Sequence, residues 1–366
     1  MDSSLSIALA ARLLFLTSGV AASLLLYLDT GPSWRELAAS ATLAAIVAVV
    51  AGLPGPLYVQ ATIAAAYWAA AAFACCLVIP FIRPAELRRR QLTILAMLVP
   101  PAAVVATAVG LLLNQHLTPR TLDGVLYAAD ASFGGQPSFA AARLLARLGF
   151  LRPIIECCYV NLPVAAVAVY LVLVRRDPDA ARRYVRATAL VGIAGWVCYF
   201  VMPGVGTMVM FGDRFPDAPP LLADVARFSW PTLDAPRNCM PSLHTAWGLL
   251  LCLVMPTGTT ARRLTVAYTA LMLTYAAASG HYLVDLIAAV PFAVAMYALA
   301  HRRPRAGAAT VWLVPLAVFV GWLVLVGVGT PLLLWSPVVP WTATVATCVV
   351  SWAAYRRAST RPAREA

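Results

Sequence analysis

Apolar stretches follow one another along the chain from residue 5 to about residue 355, separated by short polar connections. A helix needs about 20 apolar residues to cross the hydrocarbon layer of a membrane. Segments of this length predict an all-α, polytopic membrane helix bundle with about eleven spans. The predicted spans are residues 5–28, 36–53, 57–82, 91–114, 154–174, 188–210, 241–257, 264–279, 282–300, 307–329 and 338–355.

The stretch 264–300 is about twice as long as one crossing requires. Its middle holds four residues that are not strongly apolar: Ser279, Gly280, His281 and Asp285. Polar and ionisable side chains are costly at the centre of a bilayer. We therefore predict two helices joined by a hairpin whose apex, near residue 280, lies at the membrane surface.

The composition agrees with a membrane-embedded chain. The 366 residues are 62% hydrophobic and 11% charged, whereas about a quarter of the residues of a soluble domain are charged. We therefore expect a single membrane-embedded domain and no soluble one.

All 27 basic residues are arginines, and the net charge is +12. They cluster in short connections, which indicates orientation in a membrane rather than nucleic-acid binding. Clusters follow odd-numbered predicted spans, at Arg83 and Arg88–Arg90, Arg175–Arg176 and Arg182–Arg186, Arg262–Arg263, Arg302–Arg305, and Arg356–Arg364. Because such clusters stay on the cytoplasmic side, we expect the N-terminus outside and the C-terminus in the cytoplasm, in a bacterial plasma membrane.

The outward side then carries the two longest connections, residues 115–153 and 211–240, together with the hairpin apex. Long connections on a rigid scaffold are where binding and catalytic residues concentrate. We therefore expect the active site on the extracytoplasmic face. Residues 120–148 mix apolar and polar positions, which predicts either amphipathic helices on the membrane surface, lining a lipid entrance, or an ordered loop.

Two of the four histidines stand in distinctive positions. His244 follows Pro241 and Ser242 where the seventh span should begin; proline suits the first helical turn, and the free N–H groups there attract anions. His281 and Asp285 are four residues apart and therefore share a helix face. The aspartate can hold one imidazole nitrogen and leave the other as a nucleophile.

Two other interpretations of these residues stay open. The spacing of His281 and Asp285 also suits a structural hydrogen bond within a helix. Two histidines and an aspartate could bind zinc, although this spacing does not require a metal and the eight cysteines show no zinc-binding pattern. We expect no metal and no cofactor.

The two motifs together resemble the type 2 phosphatidic acid phosphatase superfamily. They read Pro-Ser-Leu-His at 241–244 and Gly-His-Tyr-x-x-Asp at 280–285, which looks most like the inositol phosphorylceramide synthase branch. Weaker marks of that branch are Tyr199-x-x-x-Pro203-x-x-Gly206 and Asp130-x-x-Phe-Gly-Gly-x-Pro137-Ser138. The resemblance covers about residues 91–300. It implies three N-terminal accessory spans in residues 1–90, a six-span catalytic core in residues 91–300, and two C-terminal spans with a basic cytoplasmic tail in residues 301–366.

This resemblance implies a metal-independent reaction in two steps. His281 would attack phosphorus and form a phosphohistidine while Asp285 orients its ring. His244 would protonate the departing alcohol and then deprotonate the incoming water or alcohol. Phosphate binding is assigned to Ser242, Arg237, Tyr275 and Gly280, with backbone N–H groups nearby.

The chain departs from the superfamily pattern at its cationic positions. Tyr275 stands where the second motif usually has arginine, and Leu145 stands where the first motif would need lysine before Arg152 and Pro153. Another cation must therefore stabilise the charge at phosphorus. Arg237 is preferred because it lies just upstream of His244. The arginines predicted to face outward are Arg120, Arg143, Arg147, Arg152, Arg214, Arg227 and Arg237.

Three functions follow, the preferred one being transfer of a phosphorylated head group between lipids. The same site could instead hydrolyse a lipid phosphate, such as a polyprenyl or glycerolipid phosphate. A proton-coupled transporter is the alternative of another class, although transporters usually place ionisable groups at mid-span and contain repeats. The expected partners are a lipid phosphate substrate and membrane lipids, without nucleic acid; the sequence names no protein partner.

Overall fold

The structure is a computed structural model, which describes residues 3–29, 109–225, 235–301 and 308–359 and a few isolated positions between 31 and 107. All regular elements in these ranges are helical, as predicted. We number them α1 (Ser3–Asp29), α2 (Asp123–Ala131), α3 (Pro137–Arg147), α4 (Leu151–Val160), α5 (Leu162–Arg176), α6 (Pro178–Val201), α7 (Thr207–Phe211), α8 (Leu222–Val225), α9 (Leu243–Val254), α10 (Thr260–Ser279), α11 (Leu283–Ala300), α12 (Ala308–Gly327), α13 (Thr330–Trp335) and α14 (Val338–Ser359). The predicted spans 36–53, 57–82 and most of 91–114 lie outside the described residues.

The chain divides into two compact units, one of Met1–Val109 and Val160–Arg176, the other of Gly110–Tyr159 and Asp177–Ala366. In the first unit, α1 packs against α5. Its buried core consists of Ala22, Leu26, Tyr27, Val167 and Leu171. An ion pair between Arg175 and Asp29 also joins these two helices. All candidate site residues belong to the second unit.

Six predicted spans correspond to helices, namely α1, α9, α10, α11, α12 and α14. The predicted hairpin break is confirmed, because α10 ends at Ser279 and α11 begins at Leu283. The predicted span 154–174 is instead interrupted at Asn161, between α4 and α5.

The predicted span 188–210 is displaced along the chain, since α6 covers Pro178–Val201. Its start is set by Asp177, whose side chain accepts the N–H groups of Asp179 and Ala180 at 3.0 Å. Its end precedes Pro203, because the residue before a proline is disfavoured in the helical conformation. Residues 203–206 are therefore free to form the loop that approaches the candidate site.

Four helices within the described ranges are long and apolar enough to cross a membrane: α6, α11, residues 310–327 of α12, and α14. A fifth span results if α4 and α5 form one broken crossing. These helices support an integral membrane protein. The total of about eleven spans and the six-span core remain predictions.

Helix α11 is the centre of the second unit. In the apolar stretch of α11 that could cross a membrane, 78% is buried. The corresponding stretches of α6, α12 and α14 are only 22–28% buried. It packs against α2, α6, α9, α12 and α14. Small side chains allow neighbouring helices to approach closely, and α11 contains six alanines between Ala288 and Ala300. The residues at its N-terminus are consequently held from several sides.

The arginine-bearing helix ends meet at the opposite end of α11. Arg262 donates to the hydroxyl of Tyr355 at 3.0 Å, and the ring of Tyr355 lies 5.5 Å from that of Tyr297. At about 1.5 Å per residue, this end lies roughly 25 Å from the N-terminus of α11. The separation agrees with the predicted sidedness, whereas the orientation in the membrane stays a prediction.

Residues 120–148 form two helices, α2 and α3, rather than a loop. Leu126, Tyr127 and Phe139 are fully buried, whereas Leu144 is exposed. The ring of Tyr127 packs 4.8 Å from that of Phe211. The helical alternative is therefore confirmed over the ordered loop, and most of these apolar side chains complete the core of the second unit. The lipid entrance on the membrane surface stays a prediction.

Candidate active site

The connection between α10 and α11 holds His281. The backbone N–H of His281 donates to the carbonyl of Ala276 at 3.2 Å, which ties it to the last turn of α10. Asp285, the third residue of α11, accepts the N–H of Tyr282 through Oδ2 at 2.9 Å. A carboxylate in the first turn satisfies a backbone donor that has no partner within the helix. The connection is therefore fixed at both ends.

His281 and Asp285 approach each other within this connection. Nδ1 of His281 lies 3.4 Å from Oδ2 of Asp285, and the two side chains are 5% and 0% exposed. This separation is longer than an ordinary N–H···O hydrogen bond, and Oδ2 also accepts the N–H of Tyr282. Because Nδ1 faces the carboxylate, Nε2 is the nitrogen on the opposite side of the ring.

Helix α9 begins beside α11. Ser242 is its N-cap, with Oγ accepting the N–H of Thr245 at 3.3 Å, and the N–H of Ser242 donates to the carbonyl of Asp285 at 3.2 Å. Pro241 precedes the cap, in a cis peptide bond with Met240. The sequence placed Pro241 in the first helical turn, which was wrong. The helix begins at Leu243, after its N-cap Ser242, and serine is a preferred N-cap residue.

His244, the second residue of α9, lies at the same place. Its ring stacks on that of Tyr159, with centroids 3.9 Å apart and planes inclined by 15°. It is also near enough to His281 for the two imidazoles to interact electrostatically. The N-termini of α9 and α11 thus bring together the two histidines and the aspartate that the sequence singled out.

Arg237 occupies a different environment from the one predicted. Its side chain is 1% exposed, with Nε donating to the carbonyl of Thr118 at 3.1 Å and Nη2 to that of Pro119 at 2.7 Å. Nη1 donates to the carbonyl of Ala235. These contacts favour a structural role for Arg237, which joins two loops, over a role as a cation for phosphate.

Tyr275 continues the aromatic stack that begins at His244. Its ring lies 5.0 Å from that of Tyr159, and its hydroxyl hydrogen-bonds Glu156 and interacts electrostatically with Arg152.

Of the other arginines predicted to face outward, Arg143 donates to the carbonyl of Pro216 at 3.0 Å, and Arg227 lies outside the described residues. Arg152 is thus linked to His244 through the rings of Tyr275 and Tyr159.

The remaining residues assigned to phosphate differ in their surroundings. Ser242 is fully buried, and its hydroxyl oxygen accepts from Oγ1 of Thr245 at 3.0 Å as well as from the backbone. Gly280 has open space where a Cβ would stand. The structure therefore leaves room beside His281 on the Gly280 side, whereas Ser242 is committed to capping α9.

Cys239 lies close to the histidine–aspartate pair. Among the described residues, Cys239, His281 and Asp285 form a group whose ligand atoms lie within 4.8 Å of one another. Burial, followed by the negative charge of Asp285, raises the pKa of the Cys239 thiol well above its usual value. The zinc alternative considered from sequence used both histidines, whereas the geometry groups a cysteine, one histidine and the aspartate.

Two further carboxylates, not assigned to the site from sequence, hold its backbone. Asp130 accepts the N–H groups of Leu283 at 2.8 Å and Val284 at 3.1 Å. Ser138 Oγ lies 3.2 Å from Oδ2 of Asp130 and 2.9 Å from the carbonyl of His281. Burial raises the pKa of Asp130 to about 7, assisted by the charge of Asp285 and opposed by the two N–H groups.

Asp123 holds the other side of the same connection. It accepts the N–H groups of Val205 at 3.0 Å and Gly206 at 2.9 Å, and the hydroxyl of Tyr282 at 3.0 Å. Burial raises its pKa. Asp123 and Asp130 are seven residues apart, close to two helical turns, so both lie on one face of α2. That spacing within a mostly apolar segment is the sequence signal that could have identified them.

Gly206 makes the closest backbone approach to the hairpin. Its φ is +85°, and a Cβ would stand 1.8 Å from the carbonyl oxygen of Gly280. Glycine is the residue that adopts such a φ without strain and allows this approach. The Pro203-x-x-Gly206 stretch noted in the sequence therefore packs directly against the residue that precedes His281.

Gly206→Ala is expected to destabilise the protein by more than about 4 kcal/mol, because it combines backbone strain with a steric clash. Gly134→Ala is the matched control, since Gly134 has a φ of +97° and open space where a Cβ would stand. The control should lose only about 1–2 kcal/mol. Thermal unfolding of both variants in detergent measures the difference, and equal losses would contradict the close approach.

The family comparison agrees with the placement of these residues. A family model described as the PAP2 superfamily matches residues 124–299, which include both histidine motifs, Asp130, Ser138 and Gly206. No curated protein and no solved structure matches the chain. Members of this superfamily are phosphatases or phosphotransferases. This segment, slightly less than half of the chain, is therefore similar to the PAP2 superfamily.

Proposed function

We propose that the protein is a membrane phosphotransferase that moves a phosphorylated head group from a lipid to an acceptor alcohol through a phosphohistidine on His281. The observation that carries this proposal is the meeting of His281, Asp285 and His244 at the adjoining N-termini of α9 and α11. The positive end of the α9 dipole favours an anionic substrate at this position.

In the first step, Nε2 of His281 attacks phosphorus and the bond between phosphorus and the departing oxygen breaks. Asp285, facing Nδ1, orients the ring and stabilises the positive charge that it acquires. Protonated His244 donates its proton to the departing oxygen, so the first product leaves as a neutral alcohol. The products of this step are phosphohistidine at position 281 and neutral His244.

In the second step, the acceptor alcohol approaches phosphorus from the side that the first product has left. His244 accepts the hydroxyl proton while the new oxygen–phosphorus bond forms and the nitrogen–phosphorus bond breaks. His281 and the protonated form of His244 are regenerated. The stack with Tyr159 holds the imidazole of His244 in one orientation for both proton transfers.

Transfer to an alcohol is favoured over hydrolysis by the enclosure of the site. His281 is 4% exposed and Ser242 is fully buried, and exclusion of water protects a reactive intermediate from hydrolysis. Hydrolysis of a lipid phosphate by the same residues is the second candidate, since the two reactions differ only in the acceptor.

For the cation that stabilises charge at phosphorus, we propose Arg152 in place of Arg237.

The function is tested with a panel of phosphodiester lipids, lipid monophosphates and acceptor alcohols, with products identified by mass spectrometry. Transfer of a phosphorylated head group from a phosphodiester lipid predicts a new phosphodiester that appears only when an acceptor alcohol is present. Release of inorganic phosphate at the same rate without an acceptor would instead establish hydrolysis. Proton-coupled uptake into proteoliposomes, with no phosphorus product, would support the transporter and overturn both candidates.

We also expect activity without a metal, although Cys239, His281 and Asp285 could hold one. Cys239→Ala should change kcat by less than about threefold, because the thiol takes no part in either step, whereas loss of even a residue that only supports a metal ligand costs about 10–100-fold. The checks are activity after dialysis against a chelator and metal content by mass spectrometry. A stoichiometric metal that disappears together with activity in Cys239→Ala would contradict this expectation.

A further inference from the structure

We propose that Asp130 and Ser138 are positioning residues that hold the backbone of His281 in register for attack, an inference that rests on the proposed function. Neither side chain is assigned to the chemistry, and both are buried, at 0% and 2% exposed. They come from α2 and α3, which precede His281 by about 140 residues or more. Their contacts reach the backbone of the hairpin rather than the imidazole ring.

The contacts cover the backbone that directly follows the Cα of the nucleophile. Ser138 reaches the carbonyl of His281, and Asp130 accepts the next two available N–H groups, those of Leu283 and Val284. Asp285 takes the N–H of Tyr282 between them. The two α11 N–H groups are therefore occupied by a protein carboxyl group and do not bind substrate phosphate. Their role is to fix the start of α11, from which His281 projects.

Proton counting indicates how Asp130 and Ser138 act together. The hydroxyl of Ser138 carries one proton but lies within hydrogen-bond distance of two acceptors, Oδ2 of Asp130 and the carbonyl of His281. Both contacts are satisfied when Asp130 is protonated, donates to Ser138, and Ser138 donates to His281. The raised pKa of Asp130 agrees with this arrangement. The charged groups that face Asp130 are Asp285 and, when ionised, Cys239.

An asparagine cannot reproduce these contacts. Oδ1 of Asp130 accepts from Val284, and Oδ2 accepts from Leu283. In either orientation, the amide nitrogen of an asparagine would face one of these two N–H groups. Asp130→Asn should therefore release part of the first turn of α11, whereas Ser138→Ala removes only the hydroxyl contact to His281.

The test measures kcat, KM and the rate of phosphohistidine formation for Asp130→Asn and Ser138→Ala in the full chain. A small displacement of a reacting group can cost about 100-fold in rate. We expect kcat to fall about 10-fold for Ser138→Ala and about 100-fold for Asp130→Asn, with KM changed less than threefold. The matched control is Ser132→Ala, which removes a buried hydroxyl bonded to Ala129 within the same segment and should leave kcat unchanged.

Amide hydrogen exchange of the peptide containing residues 281–285 supplies a readout that does not depend on activity. Asp130→Asn should speed this exchange, and Ser132→Ala should not. An unchanged kcat in Ser138→Ala, or equal losses in Ser138→Ala and Ser132→Ala, would overturn the proposal even if Asp130→Asn failed to fold. Faster exchange in an enzyme that forms no phosphohistidine at all would leave the backbone contact standing and instead refute the proposed reaction.

Discussion

His281→Asn is expected to lower kcat by about 10⁴-fold or more, because it removes the nucleophile while retaining a polar side chain beside Asp285. The variant should form no phosphoenzyme. Rapid quenching at alkaline pH, where phosphohistidine survives, followed by mass spectrometry of the peptide containing residue 281 measures this directly. Within one turnover, wild-type protein should show an added phosphorylated head group with a phosphodiester donor, or an added phosphoryl group with a monophosphate donor.

Two comparisons make this result specific. Asp285→Asn should retain the nucleophile but lose the carboxylate that orients it, and we expect a loss of about 10²–10⁴-fold with slow phosphoenzyme formation. His301→Asn is the matched control, since His301 ends α11 at the opposite end, where its Nδ1 contacts the carbonyl of Tyr297 at 2.7 Å. Full activity in His281→Asn, or a phosphoryl group on another residue, would refute the proposed reaction.

Local patterns in the sequence were enough to predict the helix break that holds His281. Gly280, His281 and Asp285 interrupt an apolar stretch too long for one crossing, and the cost of burying such groups in lipid places them at a helix end. The i, i+4 spacing likewise predicts that His281 and Asp285 share a face. These inferences succeed because each depends on residues close together in the chain.

Contacts between distant parts of the chain could not be predicted in this way. Asp130 binds N–H groups more than 150 residues further along, and backbone N–H groups leave no residue-type signal in a sequence. Arg237 illustrates the converse case: its proximity to His244 in sequence suggested phosphate binding, which stays a prediction. Its guanidinium instead binds carbonyl groups of Thr118 and Pro119, on a segment that sequence proximity does not identify.

The boundaries of α6 and α9 were missed for a related reason. Hydropathy measures which residues tolerate lipid, whereas helices begin and end where backbone groups find partners. Asp177 therefore starts α6 well before its apolar part, and Ser242 starts α9 after Pro241. The shift at α6 matters for function, because it leaves residues 203–206 in the loop that Asp123 holds against the hairpin.

His244→Ala is expected to separate the two proton transfers from the nucleophilic attack. With a lipid phosphate ester, kcat should fall about 10²–10⁴-fold, the range for loss of a general acid–base group. With an activated ester such as p-nitrophenyl phosphate, the departing group needs no proton, so the first step should proceed. The second step still lacks its base, and phosphohistidine at position 281 should therefore accumulate.

Tyr159→Leu is the matched control for this result, because it removes the ring that stacks on His244 but leaves the imidazole in place. It should lower kcat by less than about tenfold with both substrates, since an imperfectly oriented general acid still transfers protons. Equally slow phosphoenzyme formation with both substrates in His244→Ala would assign His244 to substrate binding rather than to proton transfer. An accumulating phosphoenzyme in His244→Ala that disappears on adding a strongly nucleophilic acceptor would, in contrast, identify His244 as the base of the second step, because such an acceptor requires little assistance in losing its proton.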